Sequence, residues 1–398
     1  MTRFHHKIHG DKTSRELFIE AADEAVATID KGIDLKDVQA LFIGYFTPES
    51  FEHQGHIGAL MADWFGLSPI PAWRTESACA SSSFAFLSGV LAIASGWCDL
   101  VMVGGVEKMT NRTTEQVTDA LAIAADDAYE IPAGATFPGL YALVAQAYFK
   151  EYSAEWEQLQ AIPIKNHHNG AMNPKAQFQS EIIEIANNWG ARKNLSFQEP
   201  VEFLKSSLNR MVAHPLRLFD CCPISDGAAV AILASEDFAK KYTDTPIRIR
   251  GLGAGTDTLS LHDRTSLVSF HSTVEACRQA YKMADLKPKD IDIAEVHDCF
   301  SIAEAVATED LGFIERGGGI KAAEEGRTAL NGDIPINPDG GLKCKGHPVG
   351  ATGIGMIYEI WKQLRGTAEK RQIADAETGL VQNVGGSGAS AAVVILGR

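Results

Sequence analysis

Cys79 sits in the run Thr75-Glu-Ser-Ala-Cys-Ala-Ser-Ser-Ser83, and an apolar helical stretch reaching Gly96 follows it directly. A thiol at a helix N-terminus gains from the helix dipole, which favours thiolate and predicts a pKa below the usual ~8.5. The alanine and serine neighbours leave room for an approaching group. Such a cysteine is either a nucleophile or an inert buried thiol. His347 lies in a glycine-rich run, GGLKCKGHPVGATG at 340–353, whose glycines permit tight turns and close backbone approach to a ligand. It either carries protons or merely caps the helix that follows. His297-Asp298-Cys299-Phe300 ends an apolar stretch at 291–296, the C-terminal strand end where α/β sheets bind ligands. A structural turn explains it equally well. Gly385-Gly386-Ser387-Gly388 follows another apolar strand, and a backbone N–H there, that of Gly385, could serve an oxyanion or belong to a plain turn.

Metal and nucleotide chemistry fare worse. Cys344-x-x-His347 has metal-like spacing, but a zinc site takes four ligands and no second CxxC or HxxxH completes one. The HHKIH run at 5–9 and the His167-His168 pair are expected in solvated loops, so no metal site is expected. GLGAGT at 251–256 lacks the spacing of a dinucleotide fingerprint, and no GxxxxGK[ST] occurs.

The elements that must hold these residues repeat in two halves. Thr13-Ser-Arg-Glu16 predicts a capping box opening an amphipathic helix that stops at Gly32, and Ser272-Thr-Val-Glu275 predicts a second such helix. Each leads into a short apolar strand, after Asp37 and after Asp290. The stretch 98–105 matches 378–386, both continuous apolar strands of the kind buried on both faces. The stretch 226–235 matches 387–397 in turn. The chain therefore reads as two homologous α/β halves, about 1–240 and 245–398. The helices after Cys79 and after His347 are apolar or small all round, so both must be covered completely. Set between two sheets, they give five layers, αβαβα. Residues 110–220 have no counterpart in the second half and read as an inserted loop domain, a common carrier of binding function. The second half opens with a strand at 246–255 that the first half lacks. Either the fold tolerates the gap or the sequence begins one strand late, and the second is favoured.

The composition removes other classes. The chain has 398 residues, 51 acidic and 36 basic, for a formal charge of −15, the opposite of a nucleic-acid binder's basic footprint. No apolar run approaches the ~18 residues of a membrane span, and the N-terminus shows no apolar signal segment. Seven cysteines are too sparse for a disulfide scaffold and fit a reducing cytoplasm.

Together, ESACASSS (76–83), GGVEKM (104–109), SDGAA (225–229), GHPVGATG (346–353) and GGSG (385–388) resemble the thiolase superfamily in content and in order, over nearly the whole chain. The resemblance implies a duplicated five-layered thiolase fold whose inserted loop domain covers coenzyme A. It implies coenzyme A esters as substrates, with no covalently bound cofactor. The common thiolases carry Asn-Glu-Ala-Phe where this chain has His297-Asp298-Cys299-Phe300, and a second catalytic cysteine where it has Asn383. That pattern is similar to the sterol-carrier-protein thiolases and the archaeal acetoacetyl-CoA thiolases. The absence of a fused sterol-carrier segment tilts the comparison toward the archaeal type.

The implied chemistry is ping-pong acyl transfer. His347 takes the proton of Cys79, and an acetyl-cysteine forms in an oxyanion pocket of the Cys79 and Gly385 N–H groups. Cys299 then removes the α-proton of a second acetyl-CoA, whose oxygen faces His297 and His347. The resemblance points to acetoacetyl-CoA synthesis feeding the mevalonate route to isoprenoids. A degradative 3-ketoacyl-CoA thiolase of the sterol-carrier-protein type, or a non-catalytic subunit that only binds acyl-CoA, are the alternatives. A protein this acidic needs a local basic patch for the coenzyme's phosphates, expected from Lys205, Arg210 and Arg217. A homodimer or homotetramer is implied, and the resemblance permits association with 3-hydroxy-3-methylglutaryl-CoA synthase through a zinc-ribbon, OB-fold protein.

Overall fold

A computed structural model describes residues 1–398. The first helix, α1 (Ser14–Ala27), begins as its capping box predicts: the Thr13 N–H donates to Glu16 Oε2 at 2.7 Å. It buries Leu17, Phe18, Ala21 and Ala22 at helical spacing. The helix ends at Ala27, earlier than Gly32, which instead turns the following loop with φ +72°. There follow β1 (Ala40–Gly44), β2 (Ala72–Thr75), α2 (Ser81–Ala94) and β3 (Leu100–Glu107). A long excursion carries α3 (Phe137–Tyr152) and α4 (Ala161–Ala171) before the chain returns as β4 (Gly227–Ala234). The second half holds β5 (Arg248–Thr256), α5 (His271–Ala284), β6 (Ile293–Val296), α6 (Ser301–Asp310), α7 (Thr352–Leu364), β7 (Thr378–Gly385) and β8 (Ser390–Gly397).

The expected second capping box does not form. Helix α5 starts at His271, because the Phe270 N–H is held by Asp310 Oδ2 at 2.8 Å. Ser272 lies inside the helix and donates to the Gly388 carbonyl at 2.7 Å, while Glu275 pairs with Arg278.

The strands form two four-stranded sheets, β2-β1-β3-β4 and β5-β8-β7-β6. In each, a parallel pair (β1 with β3, β6 with β7) is followed by an antiparallel partner (β4, β8). Every residue of β3 and β7 is buried, as continuous apolar runs require. Helix α1 packs on the outer face of the first sheet and α5 on that of the second. Helices α2 and α7 lie between the sheets and touch each other, completing the five-layered duplicated fold. Helix α7 is covered nearly all round, but α2 is not: Leu91 is 67% exposed, with Trp73 and Trp97 stacked and exposed nearby.

One place is empty by comparison with the repeat. In the second sheet β5 pairs along β8, whereas nothing continuous pairs along the equivalent edge of β4. Only Thr2 and His5 bond there, to Ala228 and Asp226. An apolar groove of about 470 Å³, lined among others by Val230, Ile232, Ile249, Ile357 and Trp361, lies along that edge. An extended apolar segment laid on β4 would satisfy the edge and bury this lining, at roughly 1.5–3 kcal/mol per large side chain. Extending the chain before Met1 by a short segment with Val or Ile at alternate positions is expected to raise Tm by several degrees, net of the lost Met1 ammonium–Glu24 pair. An unchanged Tm, with the extension resistant to limited proteolysis, would mean that the groove costs no stability.

Candidate active site

Cys79 occupies the 3₁₀ turn Ala78–Ala80 that delivers the chain into α2. Ala78 has φ +47°, a left-handed conformation costing an L-residue roughly 1–2 kcal/mol. It is held by three local bonds: the Ala78 N–H to Glu76 Oε1 (2.6 Å), Ser81 Oγ to the Ala78 carbonyl (2.6 Å), and the Ser77 N–H to Ser81 Oγ (3.0 Å). The alanine and serine run around Cys79 is therefore the framework of a strained turn. The sulfur is approached by the backbone N–H groups of Gly386 and of Cys79 itself. Gly386, one residue beyond the expected Gly385, supplies the glycine-turn donor nearest the thiol.

The expected lowered thiol pKa is not what the structure supports. Burial pushes the Cys79 thiol up to about 12, and the two N–H groups only partly offset this. The helix dipole loses to desolvation at the sulfur, although the residue as a whole keeps some exposure. Burial also holds His347 down to about 3, with Lys345 adding to the effect. The resting pair is thus a neutral thiol beside a neutral imidazole.

His347 stands on a loop fixed from the first half. Its N–H donates to Ser225 Oγ at 3.1 Å, and the Gly350 N–H to Glu107 Oε2 at 2.8 Å. Glu107 also accepts the Phe46 N–H at 3.0 Å. A Cβ on Gly350 would lie 2.5 Å from the Val106 carbonyl oxygen and 2.7 Å from Glu107 Oε2, so only glycine allows that approach. Glu107 and Ser225, in the motifs GGVEKM and SDGAA, are supports of the histidine loop, a role their sequence gave no reason to assign.

His297 and Cys299 emerge just past β6. The His297 N–H donates to Gln382 Oε1 at 2.9 Å, and the Cys299 carbonyl accepts the Cys222 N–H at 2.9 Å. Between them, Asp298 accepts from Asn166 Nδ2 (2.7 Å) on α4 and from the Leu342 N–H (2.6 Å). It thereby ties the His-Asp-Cys-Phe turn to the excursion and to the loop of His347. Burial, helped by Glu304, raises the Asp298 carboxyl to about 7. Cys299 is buried and raised well above the ordinary thiol value, chiefly by burial and then by the Cys222 and Cys79 thiols beside it; the Tyr141 hydroxyl bonds to it and works the other way. Tyr141, from α3, stacks on Phe300 at 4.6 Å and donates to the Gly386 carbonyl at 3.2 Å.

The fold brings Cys79, His297 and His347 together, with the Cys299 thiol beside Cys79. Donor atoms of Cys79, His297 and His347 all lie within 4.8 Å of one another, and the two imidazole rings stand nearly perpendicular, 5.0 Å apart. The trio meets metal-ligand distances only loosely and brings no fourth ligand. Cys344 lies outside it, with its sulfur against the Phe178 carbonyl and His167. Two histidines expected in solvent are buried: His167 within α4, and His9, which bonds the Arg3 carbonyl. Of the proposed basic patch, Arg217 lies over the Trp156 ring and donates to the carbonyls of Lys205, Ser206 and Asn209. Lys205 pairs with Glu157 at 3.5 Å, and Arg210 is exposed. None of the three bonds to a residue of the Cys–His cluster.

The buried imidazoles make stability depend on pH. Burial lowers His167 to about 4 and His347 to about 3, below the unfolded value of ~6.5. The unfolded chain therefore binds more protons, so this stability is complete above pH ~6.5 and is lost as pH falls, by up to ~1.4 kcal/mol per unit per group. Buried carboxyls with raised values, Asp298 at about 7 and Glu107 at about 8, act in the opposite direction over the same range, so the histidine part is read as a difference. Between pH 6.5 and 4.5 the denaturant midpoint of the wild type should shift downward relative to that of His167→Gln, and parallel curves would remove His167 from the account.

Comparison with known proteins agrees with this architecture. Residues 1–237 match the thiolase N-terminal domain, and 253–398 match the family described as thiolase C-terminal domain-like. An acetyl-CoA acetyltransferase of Methanothermobacter thermautotrophicus is 45% identical over 98% of this chain and 95% of its own. One of Methanocaldococcus jannaschii is 39% identical over 97% and 94%. Sterol carrier protein 2 of Oryctolagus cuniculus is 33% identical over 93% of this chain and 65% of its own length. Among solved structures, an Ltp2-ChsH2(DUF35) aldolase superposes with a TM-score of 0.79 at 24% identity, covering all of this chain and 95% of that one.

Proposed function

We propose, from the premise that the chain belongs to the thiolase family and is an acyltransferase, that it condenses two molecules of acetyl-CoA into acetoacetyl-CoA. The observation that carries this is the meeting of Cys79, His297 and His347 within 4.8 Å, with the Cys299 thiol beside them. Likeness over nearly full length to two archaeal acetyl-CoA acetyltransferases favours acetyl over longer acyl groups.

Cys79 attacks the thioester carbonyl as His347 Nε2 takes its proton. The backbone N–H groups of Cys79 and Gly386 face the oxyanion, and CoA leaves as a thiol, with the proton returned by His347. A second acetyl-CoA then binds with its thioester oxygen toward the two histidines. Cys299, having passed its proton to the neutral His347, removes the α-proton as a thiolate, the enolate carbon attacks the acetyl carbon, and the Cys79 thiolate departs and takes the proton back from His347. Two thiols are required because one is acylated when the other must act. The resting pair is neutral, so attack and proton transfer proceed together rather than from a stored thiolate.

The wider reading includes self-association and a biosynthetic setting. Exposed Trp73 on the edge strand β2, stacked with exposed Trp97, suits a second copy of the chain. The proposal extends to supply of acetoacetyl-CoA to the mevalonate route, in company with a synthase and a zinc-ribbon, OB-fold partner. Measuring thiolysis across 3-ketoacyl-CoA chain lengths is the test. Activity confined to acetoacetyl-CoA is expected, equal rates with long chains would favour a degradative enzyme, and no activity at any length would leave a binding subunit.

A further inference from the structure

Two imidazoles share one cavity, and their partners assign them opposite tasks. Thr352 Oγ1 lies 2.9 Å from the Pro348 carbonyl and 2.7 Å from His347 Nδ1. With its one proton on the carbonyl it accepts from Nδ1–H, an arrangement that satisfies both contacts and leaves the Nε2 lone pair free for the Cys79 proton. His297 is held the other way. Its Nδ1 lies 2.9 Å from Asn383 Nδ2, an amide nitrogen that can only donate. Nδ1 is then the lone pair, and the proton sits on Nε2. That atom is buried and has no partner within the protein.

In this orientation of the amide Ser83 Oγ donates to Asn383 Oδ1 at 2.8 Å, so both ends of the side chain are partnered. Ser83 comes from α2 in the first half, Asn383 from β7 in the second, and the contact passes beside Gly353 of α7. A Cβ on Gly353 would collide with Ser83 Oγ and press on Asn383 Oδ1, so the glycine leaves the space this pair fills. Asn383 stands where the common thiolases have a cysteine, and occupancy of a vacated position did not suggest a task for it.

We propose that Asn383, backed by Ser83, is a positioning residue that fixes His297 in the Nε2–H tautomer, so that His297 presents a hydrogen-bond donor to the thioester oxygen of the second substrate and does not serve as the base. This rests on the condensation reading above. An enolate oxygen forming opposite Nε2–H gains a charge-assisted bond. A lone pair there would repel it. Both rings stay neutral, because burial and their mutual proximity keep His297 well below its ordinary value, so tautomer rather than charge sets what each ring offers.

The test combines nitrogen NMR of histidine-labelled enzyme with half-reaction kinetics. In the wild type, the His297 resonances, assigned by their loss in His297→Gln, should show an unprotonated Nδ1 and a protonated Nε2. Asn383→Asp replaces the donor by an acceptor and should move the proton to Nδ1. Condensation should then fall ~10- to 10³-fold, the scale of one lost oxyanion donor, and acylation by labelled acetyl-CoA should fall by far less. Asn383→Ala and Ser83→Ala should give intermediate tautomer populations with graded losses, and they serve if the aspartate variant folds poorly. A wild-type His297 protonated on Nδ1, or Asn383→Asp condensing at the wild-type rate, overturns the inference. A wild type that never forms an acyl-enzyme overturns instead the reading of the reaction on which it rests, and the NMR result separates the two failures.

Discussion

Cys79→Ala is expected to stop both half-reactions, by roughly 10⁴-fold or more, since no other group can hold the acyl chain between them. Incubation with acetyl-CoA followed by intact-mass measurement should show an acetyl adduct on the wild type and none on the variant. The structure adds a condition that the sequence did not suggest. With the thiol pushed up to about 12 and His347 held down to about 3, the resting enzyme stores almost no thiolate at neutral pH. Alkylation of Cys79 by iodoacetamide should therefore be slow without substrate and should accelerate steeply with pH. His347→Ala should slow acylation by about 10²–10⁴, as Cys79 would then lack an acceptor for its proton. Fast alkylation at pH 7 would show that an ion pair exists in the free enzyme and that the neutral pair is wrong.

The thiol pKa marks where the sequence stops being legible. A cysteine before an apolar helix invites the dipole argument, but whether burial outweighs the dipole depends on the second half of the chain, some 270 residues away, which closes over the sulfur with His347 and Gly386. The layers were legible because they follow from local patterns. Continuous apolar strands must be buried on both faces, as β3 and β7 are, and the largely apolar α2 and α7 had to lie between sheets. Errors arose where a local motif met a distant partner. The second capping box failed because Asp310 claimed the Phe270 N–H. His167 was misplaced in solvent because polar neighbours in sequence do not reveal that α4 packs against the turn of Asp298. Asn383 is the clearest case: its role is a tautomer, and a tautomer is set by which atom faces which across 2.9 Å.

Replacing Cys299 with alanine should separate the half-reactions that Cys79→Ala removes together. The Cys79–His347 pair remains intact, so labelled acetyl-CoA should still acylate the enzyme and release one equivalent of CoA. Condensation should then fall by about 10²–10⁴, the usual contribution of a positioned acid–base group. The structure gives two reasons to choose Cys299 over its neighbour. His297 turns a nitrogen to the cavity whose lone pair is absent if Asn383 donates to Nδ1, and a ring in that state cannot accept an α-proton there. Cys299 meanwhile lies beside the Cys79 thiol that carries the acetyl group, which places its sulfur close to the reacting centre. Burial still raises the thiol well above its ordinary value, so once its proton has passed to another group it is a strong base. Solvent exchange supplies the decisive readout: wild-type acyl-enzyme should wash deuterium from labelled acetyl-CoA into water, and Cys299→Ala should not. If exchange persists in Cys299→Ala but is lost in His297→Gln, the base is the histidine, and Cys299 only packs beneath it.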